Sequence, residues 1–236
     1  EIAYAKENGI DFIVTDHHLP IHKDTEDGEY DGKGVIAGSY IVPNAISVIN
    51  SKQDLCTYHD NMLCGCAVAW KLACALLVKL REGDYGEVSE KVKAMPVGYE
   101  KWMLDLVGIS TVADMVPLLK ENRALAHFGL KVLRVTKRHG LNQIFRMQGV
   151  SKDHLTEDDI AFTIAPRINA AGRMGDPIQA HNMLYAKDNV SAQGFVEDLE
   201  ALNMERKQGV KDITEGISFD HDVYKNDVVV VGDLSW

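Results

Sequence analysis

The chain has 236 residues, 46% of them hydrophobic and 25% charged, which is ordinary for a globular protein with a sizeable core. Its formal net charge is −10, so general electrostatics does not favour nucleic acid as a partner, because phosphate affinity normally comes from clustered Lys and Arg. If DNA is the substrate, metal ions or other domains must help to hold it. Since neither a signal peptide nor an apolar stretch of membrane-spanning length is evident, the cytoplasm is the expected location.

The chain opens with a pattern typical of a helix that leads into a buried strand. Ile2, Ala3 and Ala5 follow helical spacing, and Gly9 is a residue type common just past a helix end. The β-branched and aromatic residues of 10–15 then predict a strand. A helix that feeds a parallel strand implies an earlier strand, so we expect this chain to be a segment of a longer protein.

Polar side chains follow this strand directly: Asp16, His17 and His18, shortly before Pro20. In open α/β sheets, ligands bind in the crevice beyond the carboxyl ends of the strands. One carboxylate and two imidazoles at this position favour a metal or phosphate site. The tripeptide alone does not decide between such a site and a solvated turn, where Asp and His are also frequent.

The next part of the chain predicts a loop, a second strand and two helices. Residues 21–34 are rich in Asp, Glu, Lys and Gly and predict a surface loop, whereas residues 45–50 predict a short strand. Apolar residues at helical spacing predict a helix over 65–80 that covers the sheet. A further helix is expected at 99–107.

The four cysteines, at positions 56, 64, 66 and 74, form no pair of Cys-x-x-Cys motifs. We interpret them as reduced thiols. Cys64 and Cys66 could in principle bind a metal, but the apolar helix beside them favours buried packing.

A second polar segment, residues 108–114, is made of small residues and ends in Asp114, just before Pro117. Small residues let the backbone come close to a bound ligand, and a proline disfavours continuation of the helix before it. Asp114 is therefore either a site carboxylate or an Asp at a helix end. The earlier Asp105 is interpreted as structural.

A third polar segment, residues 165–176, contains two arginines, Arg167 and Arg173, among small residues. A guanidinium donates two parallel hydrogen bonds to phosphate, and glycines allow close contact, so the segment could cradle a phosphate. The alternative is a pair of structural ion pairs. Around it, helices are predicted at 121–135, from 156 onward, and over 191–217, the last longer than a typical globular helix.

Four stretches together resemble the DHH phosphoesterase superfamily and, within it, the RecJ family of single-strand-specific exonucleases. They are TDHHLP at 15–20, CGCAVAWKLACALL at 64–77, LDLVGISTVADMVPLLKENR at 104–123 and IAPRINAAGRMGDP at 164–177. Their order and approximate spacing also match, and the resemblance covers nearly the whole chain.

The resemblance implies an α/β fold with a parallel sheet flanked by helices. The DHH phosphoesterase domain would occupy residues 1–190, without its N-terminal part. A connector helix would follow at 191–220, and residues 221–236, with a valine-rich strand at 228–231, would begin a truncated second α/β domain, the DHH-associated domain.

The resemblance also implies a set of site residues. The superfamily hydrolyses phosphoester bonds with two divalent cations, usually Mn²⁺ or Mg²⁺. On the family pattern, His17 and Asp114 are direct metal ligands, Asp16 fixes the histidine pair, and His18 contacts phosphate or donates a proton. The remaining phosphate contacts implied by the pattern are Arg167, Asn169 and Arg173.

The family's other metal ligands, an Asp-x-Asp motif and a further Asp, are not among these residues. Two direct ligands cannot hold two metals, so we expect activity from a longer parent protein and not from this chain alone. The parent is interpreted as a 5′-to-3′ single-stranded-DNA exonuclease of recombination and repair, with a single-strand-binding protein or a helicase as further partners. The alternatives are a DHH phosphodiesterase acting on cyclic dinucleotides or short oligonucleotides, and a non-catalytic DHH scaffold in a replication complex.

Overall fold

The computed structural model describes residues 1–23, 34–83 and 90–216, which form two compact units. The first comprises Glu1–Thr136 with Leu155–Ile160, and the second comprises Lys137–His154 with the chain from Ala161 onward. In chain order the α-helices and strands are α1 (Ile2–Glu7), β1 (Ile13–Thr15), β2 (Ile21–His22), β3 (Gly34–Ala37), β4 (Tyr40–Pro43), β5 (Ser47–Ile49), α2 (Gly65–Glu82), α3 (Glu90–Lys93), α4 (Leu104–Ala113), α5 (Lys120–Arg134), α6 (His139–Gln148), α7 (Ala165–Met174), α8 (Ile178–Tyr185) and α9 (Asn189–Gly216).

The first unit contains the parallel pair that the sequence predicted. Strands β1 and β5 run parallel, with Val14 opposite Val48. The pairing continues one residue past β1, because the Asp16 N–H donates to the Ile49 carbonyl over 3.0 Å. The carboxyl ends of both strands therefore lie at the same sheet edge, with Asp16 at that edge.

A second, antiparallel sheet has the strand order β2-β4-β3. The prediction of a loop over 21–34 is wrong at its start, because Ile21 pairs with Ile41. Two-residue strands carry no alternation in the sequence, so only the partner strand reveals them. Residues 24–33 of that predicted loop lie outside the described residues.

The predicted helix over 65–80 is confirmed as α2, and it ends at Gly83 with a left-handed φ of +79°. It packs against α4, and the surrounding core of the first unit is apolar. The buried residues of this core are Leu63, Cys64, Ala67, Val68, Leu104, Val107 and Leu125.

The small residues of 108–114 belong to a helix and not to a loop. A 3₁₀ turn over Tyr99–Met103 leads into α4, which contains Gly108 and ends at Asp114. A Cβ on Gly108 would lie 2.7 Å from the Cα of Gly129 in α5. The small residues thus serve the close packing of two helices.

The second unit is helical among its described residues. The long predicted helix is confirmed as α9, and it packs on α6, α7 and α8 within this unit. It is therefore part of the compact core of this unit. The sequence pattern had not revealed α6 and α8, and the predicted strand at 228–231 lies outside the described residues.

Most of the segment 165–176, which contains the two arginines, is helix α7. A π-helical segment over Asp159–Ile164 precedes α7. It lies just after the predicted helix start at 156, where the Thr156 backbone N–H donates to Asp159. Pro166 lies in the first turn of α7, where a helix tolerates its missing N–H. Across the described parts of the chain, no helix combines the length and the apolar character that crossing a membrane requires.

The contact between α4 and α5 yields a stability prediction. In Gly129→Ala the new Cβ would lie 2.5 Å from the Gly108 Cα and 2.8 Å from the Leu104 carbonyl oxygen. Because both neighbours are backbone, we expect the free energy of unfolding to fall by about 1–3 kcal/mol, the usual cost of overpacking.

The control is Gly194→Ala in α9, where a Cβ meets nothing within 4 Å. Helix propensity alone should stabilise this variant by up to about 1 kcal/mol. Urea denaturation followed by circular dichroism compares the two, and a Gly129→Ala variant as stable as the parent would contradict the close helix contact.

Candidate functional site

The Asp16–His18 turn is closed by one carboxylate oxygen. Asp16 Oδ1 accepts hydrogen bonds from the backbone N–H of His17 at 2.7 Å and of His18 at 3.2 Å. The same oxygen lies 2.8 Å from Nδ1 of His18. Asp side chains commonly bond to the backbone that follows them in this way. Asp16 therefore orients the exposed His18 ring and leaves its Nε2 facing outward.

The environment of Asp16 favours its ionised form. Partial burial raises the pKa of this carboxyl, but the hydrogen bonds from the His18 ring and from the backbone N–H groups of His18 and His17 outweigh it. The pKa of Asp16 therefore lies below its ordinary value of 3.8. The carboxylate remains a hydrogen-bond acceptor at neutral pH.

The structure brings His17 and Asp114 together from distant parts of the first unit. Nδ1 of His17 lies 3.3 Å from Oδ2 of Asp114. Asp114 caps the C-terminus of α4, and the next residue, Met115, has a left-handed φ of 55° that turns the chain away. The His17 side chain is 18% exposed and that of Asp114 is 38% exposed, so solvent reaches both.

The donor atoms suit a transition-metal ion. Among the described residues, ligand atoms of Asp16, His17 and His18 lie within 4.8 Å of one another. Mixed carboxylate and imidazole donors suit Mn²⁺ better than Ca²⁺, which prefers oxygen ligands. The spacing between His17 and Asp114 is also compatible with both atoms binding one ion. These residues therefore fit a divalent metal.

A residue that the sequence analysis missed supports the turn from β5. Asn50 is 5% exposed, and its Nδ2 donates to the carbonyl of His18 over 2.8 Å. The predicted second strand, 45–50, included Asn50, but β5 ends at Ile49, so Asn50 follows β5 as Asp16 follows β1. A polar residue after each of two parallel strands could have revealed it, because such strands end at one sheet edge.

Asp105 and the cysteines match their predicted structural roles. Asp105 is 2% exposed, and Thr136 Oγ1 donates to its Oδ2 over 2.7 Å. All four thiols are free, and Cys64 is fully buried at the start of α2.

The implied phosphate contact of Arg167 does not fit the structure. Arg167 is 6% exposed, and its guanidinium forms an ion pair with Glu200 of α9. It also donates to the Thr163 carbonyl and to Gln148 Oε1. Because its guanidinium N–H groups already donate to acceptors inside the second unit, Arg167 links α7 to α9. It has no pair of free N–H donors left for a phosphate.

Arg173 has the opposite environment, although it lies in the same helix. It is exposed at the C-terminal end of α7, one helical turn after the exposed Asn169. Within residues 1–23, 34–83 and 90–216, its guanidinium has no hydrogen bond or ion pair. Arg173 and Asn169 thus remain available to an anionic ligand.

No protein-family model matches the chain, but individual relatives do. The single-stranded-DNA-specific exonuclease RecJ of Bacillus subtilis is 34% identical over 91% of this chain. The protein of the same name from Dickeya dadantii is 36% identical over 86% of this chain. This chain belongs to the RecJ family. It spans 23% and 32% of the lengths of these two relatives.

Solved structures of the RecJ family share the fold. RecJ from Thermus thermophilus in complex with Mn²⁺ matches 89% of this chain and 26% of its own, with 28% identity and a TM-score of 0.66. An exonuclease RecJ bound to manganese matches 92% of this chain and 46% of its own, with a TM-score of 0.69. The α/β fold expected from the resemblance is therefore confirmed.

A polar network holds the loop that connects β5 to α2. Tyr58 donates its hydroxyl to Glu121, and Lys71 Nζ lies 2.9 Å from the other oxygen of the same carboxylate. Burial raises the pKa of Glu121, but the hydrogen bonds from Tyr58 and Lys71 lower it by more, so the pKa lies below its ordinary value of 4.5. Folding thus favours the ionised carboxylate.

This network predicts a pH-dependent loss of stability. A carboxyl with a lowered folded pKa stabilises the fold above its unfolded pKa, near 4.5, and loses this effect as the pH falls through the folded value. We expect Glu121→Gln to be less stable by about 1 kcal/mol at pH 7. The difference should shrink below pH 4.5.

Denaturation curves at several pH values measure this difference. The control is Glu157→Gln, which removes an equal charge from an exposed residue without a described partner. A Glu121→Gln deficit that is the same at pH 3 and pH 7, at about 1 kcal/mol, would assign the loss to packing and not to the ionised carboxylate.

Proposed function

We propose that this chain is part of a metal-dependent 5′-to-3′ single-stranded-DNA exonuclease of recombination and repair, with Mn²⁺ or Mg²⁺ as cofactor. The convergence of His17 and Asp114 to 3.3 Å is the observation that carries this proposal. Relatives named single-stranded-DNA-specific exonuclease RecJ support the substrate, and solved RecJ structures in complex with Mn²⁺ or Mg²⁺ support the cofactor.

In this proposal the first unit supplies the metal site. His17 and Asp114 would hold a divalent cation, and Asp16 keeps the turn and the His18 ring in place. Together with further ligands, these residues would hold two cations, which would lower the pKa of a bound water and neutralise charge on the phosphate. The outward Nε2 of His18 contacts a phosphate oxygen or donates a proton to the leaving oxygen. Asp16, His17, His18 and Asp114 are thus the proposed catalytic residues.

Arg173 and Asn169 supply the proposed phosphate contacts of the second unit. Arg173 is exposed and has no described partner, so binding a phosphate breaks no existing ion pair. An enzyme that digests from the 5′ end must recognise a terminal phosphate, and a fork-shaped donor does this better than a lysine. Arg167 is left out of this set because its guanidinium is already bonded.

The wider context belongs to the same proposal. Residues 1–190 belong to the catalytic DHH domain, and the segment 191–220 connects it to a second domain that begins at 221. The cytoplasm is the proposed location, with single-stranded DNA as substrate and a single-strand-binding protein or helicase as partner. The bound cations offset the formal net charge of −10 where DNA approaches.

Removing either proposed metal ligand tests the site. In the full-length protein, His17→Ala and Asp114→Ala should each lower Mn²⁺-dependent hydrolysis of single-stranded DNA by more than about 100-fold, since even outer-shell changes at metal sites cost 10–100-fold. Titration with Mn²⁺ should show weaker binding, and circular dichroism should show an unchanged fold.

The matched control is His127→Ala, which removes an exposed imidazole from α5. It should retain full hydrolysis and Mn²⁺ affinity. If His17→Ala and Asp114→Ala behaved like this control, the proposed metal site would be wrong. Hydrolysis of cyclic dinucleotides by the parent protein, with no hydrolysis of single-stranded DNA, would change the proposed substrate and not the site.

Replacing Arg173 tests the recognition of the 5′ end. Arg173→Ala should lower kcat/KM on 5′-phosphorylated oligonucleotides by a factor of about 10–150, which corresponds to one charge-assisted hydrogen bond of about 1.5–3 kcal/mol. Activity on the same oligonucleotides with a 5′-hydroxyl should change little, and Mn²⁺ affinity should not change.

Arg146→Ala is the control, because it removes an exposed arginine without a described partner from the neighbouring helix α6. Both substrates should be hydrolysed normally by this variant. An equal loss on both substrates in Arg173→Ala would instead indicate an internal phosphate contact or a structural role.

A further inference from the structure

The imidazole of His17 rests against a position that has no side chain. Gly65 is the first residue of α2, and a Cβ built there would lie 3.1 Å from Cδ2 and 3.6 Å from Nε2 of His17. A separation of 3.1 Å between carbon atoms is below their optimal contact distance of about 3.5–4.0 Å. Any residue other than glycine would therefore push on the ring.

The two edges of the His17 ring face different elements. The Cδ2 edge faces Gly65, whereas Nδ1, on the other side of Cγ, lies 3.3 Å from Oδ2 of Asp114. The ring is thus held between the start of α2 and the end of α4. A movement away from a new Cβ at Gly65 would change the distance between His17 and Asp114.

A buried contact joins the same two helix ends. Cys64 directly precedes α2 and is fully buried, with its Sγ 3.5 Å from Oγ1 of Thr111 in α4. Thr111 is also fully buried and donates its hydroxyl to the Val107 carbonyl over 2.7 Å. Because Thr111 lies one helical turn before Asp114, this contact sets the position of Asp114 relative to Gly65.

We propose that Gly65 is a positioning residue for the metal site, which sets the plane of the His17 ring relative to Asp114, and that the Cys64–Thr111 contact maintains the gap in which the ring lies. This proposal rests on the proposed function, since it takes His17 and Asp114 as metal ligands. A donor atom moved by a few tenths of an ångström no longer matches the preferred geometry of the ion, so the affinity falls.

If Gly65 mattered only for helix formation, Gly65→Ala would have a different effect on stability and metal affinity. Glycine is a weaker helix former than alanine, by about 1 kcal/mol in a helix interior and by less at the first residue, so Gly65→Ala should not weaken α2 if nothing else mattered. A positioning role predicts weaker metal binding without loss of stability. Stability and metal affinity therefore distinguish the two roles.

The experiment compares Gly65→Ala with Gly194→Ala in the full-length protein. We expect Gly65→Ala to weaken Mn²⁺ binding by about 10–100-fold, as outer-shell changes at metal sites do, while the thermal midpoint stays equal or rises. Free Mn²⁺ measured by electron paramagnetic resonance gives the affinity. Two-dimensional ¹H–¹⁵N spectra of the imidazoles, without metal, should show a shifted His17 signal.

Gly194→Ala is the control because a Cβ there meets nothing within 4 Å. It should leave both the Mn²⁺ affinity and the His17 signal unchanged. Thr111→Val is a second variant, which keeps the side-chain shape but removes the hydroxyl that contacts Cys64. We expect a smaller loss of Mn²⁺ affinity, of a few-fold.

The outcomes separate this proposal from the proposed function. If His17→Ala abolishes Mn²⁺ binding but Gly65→Ala binds normally and keeps the His17 signal, Gly65 is not a positioning residue and the metal site stands. If His17→Ala itself binds Mn²⁺ normally, the metal site is wrong. Should Gly65→Ala fail to fold, Thr111→Val decides: reduced affinity supports the positioning role, and unchanged affinity overturns it.

Discussion

The parallel pairing of β1 with β5 is the constraint on which the candidate site depends. It places the ends of two strands at one sheet edge, so that Asp16 bonds to Ile49 and Asn50 bonds to the His18 carbonyl. Without this pairing, Asp16 would close a local turn with no defined position in the fold. Strand β5, which lies much later in the chain, fixes the backbone of the turn through this pairing. The side chains of the turn are positioned together with that backbone.

Glycines set the distances between the elements around this edge. Gly65 leaves room for the His17 ring, and Gly108 meets Gly129 where α4 crosses α5. At all three positions the missing side chain permits a close approach within regular helices, which is a different use from the left-handed turn at Gly83. The site is thus positioned by packing between helices as well as by the strand ends.

The two arginines of α7 have different environments within one short helix. Arg167 points into the second unit and bonds to Glu200, whereas Arg173 is exposed without a described partner. They are six residues apart, which on an α-helix places the two side chains about 120° apart around the axis. An exposed arginine of this kind is compatible with the proposed DNA substrate, whose phosphates the formal net charge of −10 repels.

Local patterns in the amino-acid sequence were enough to predict the elements with strong periodicity and the chemical types at the site. β1, α2 and α9 follow from runs or periods of apolar residues, and the Asp16–His18 turn follows from its place after a strand. The contacts between residues of different elements, by contrast, were decided only by the tertiary structure. Folding paired β2 with β4, brought Asp114 to His17, placed both arginines on helix α7 and buried Arg167. The physical reason is that periodicity reports which side of an element is apolar, whereas contacts between elements depend on where the whole chain places their ends.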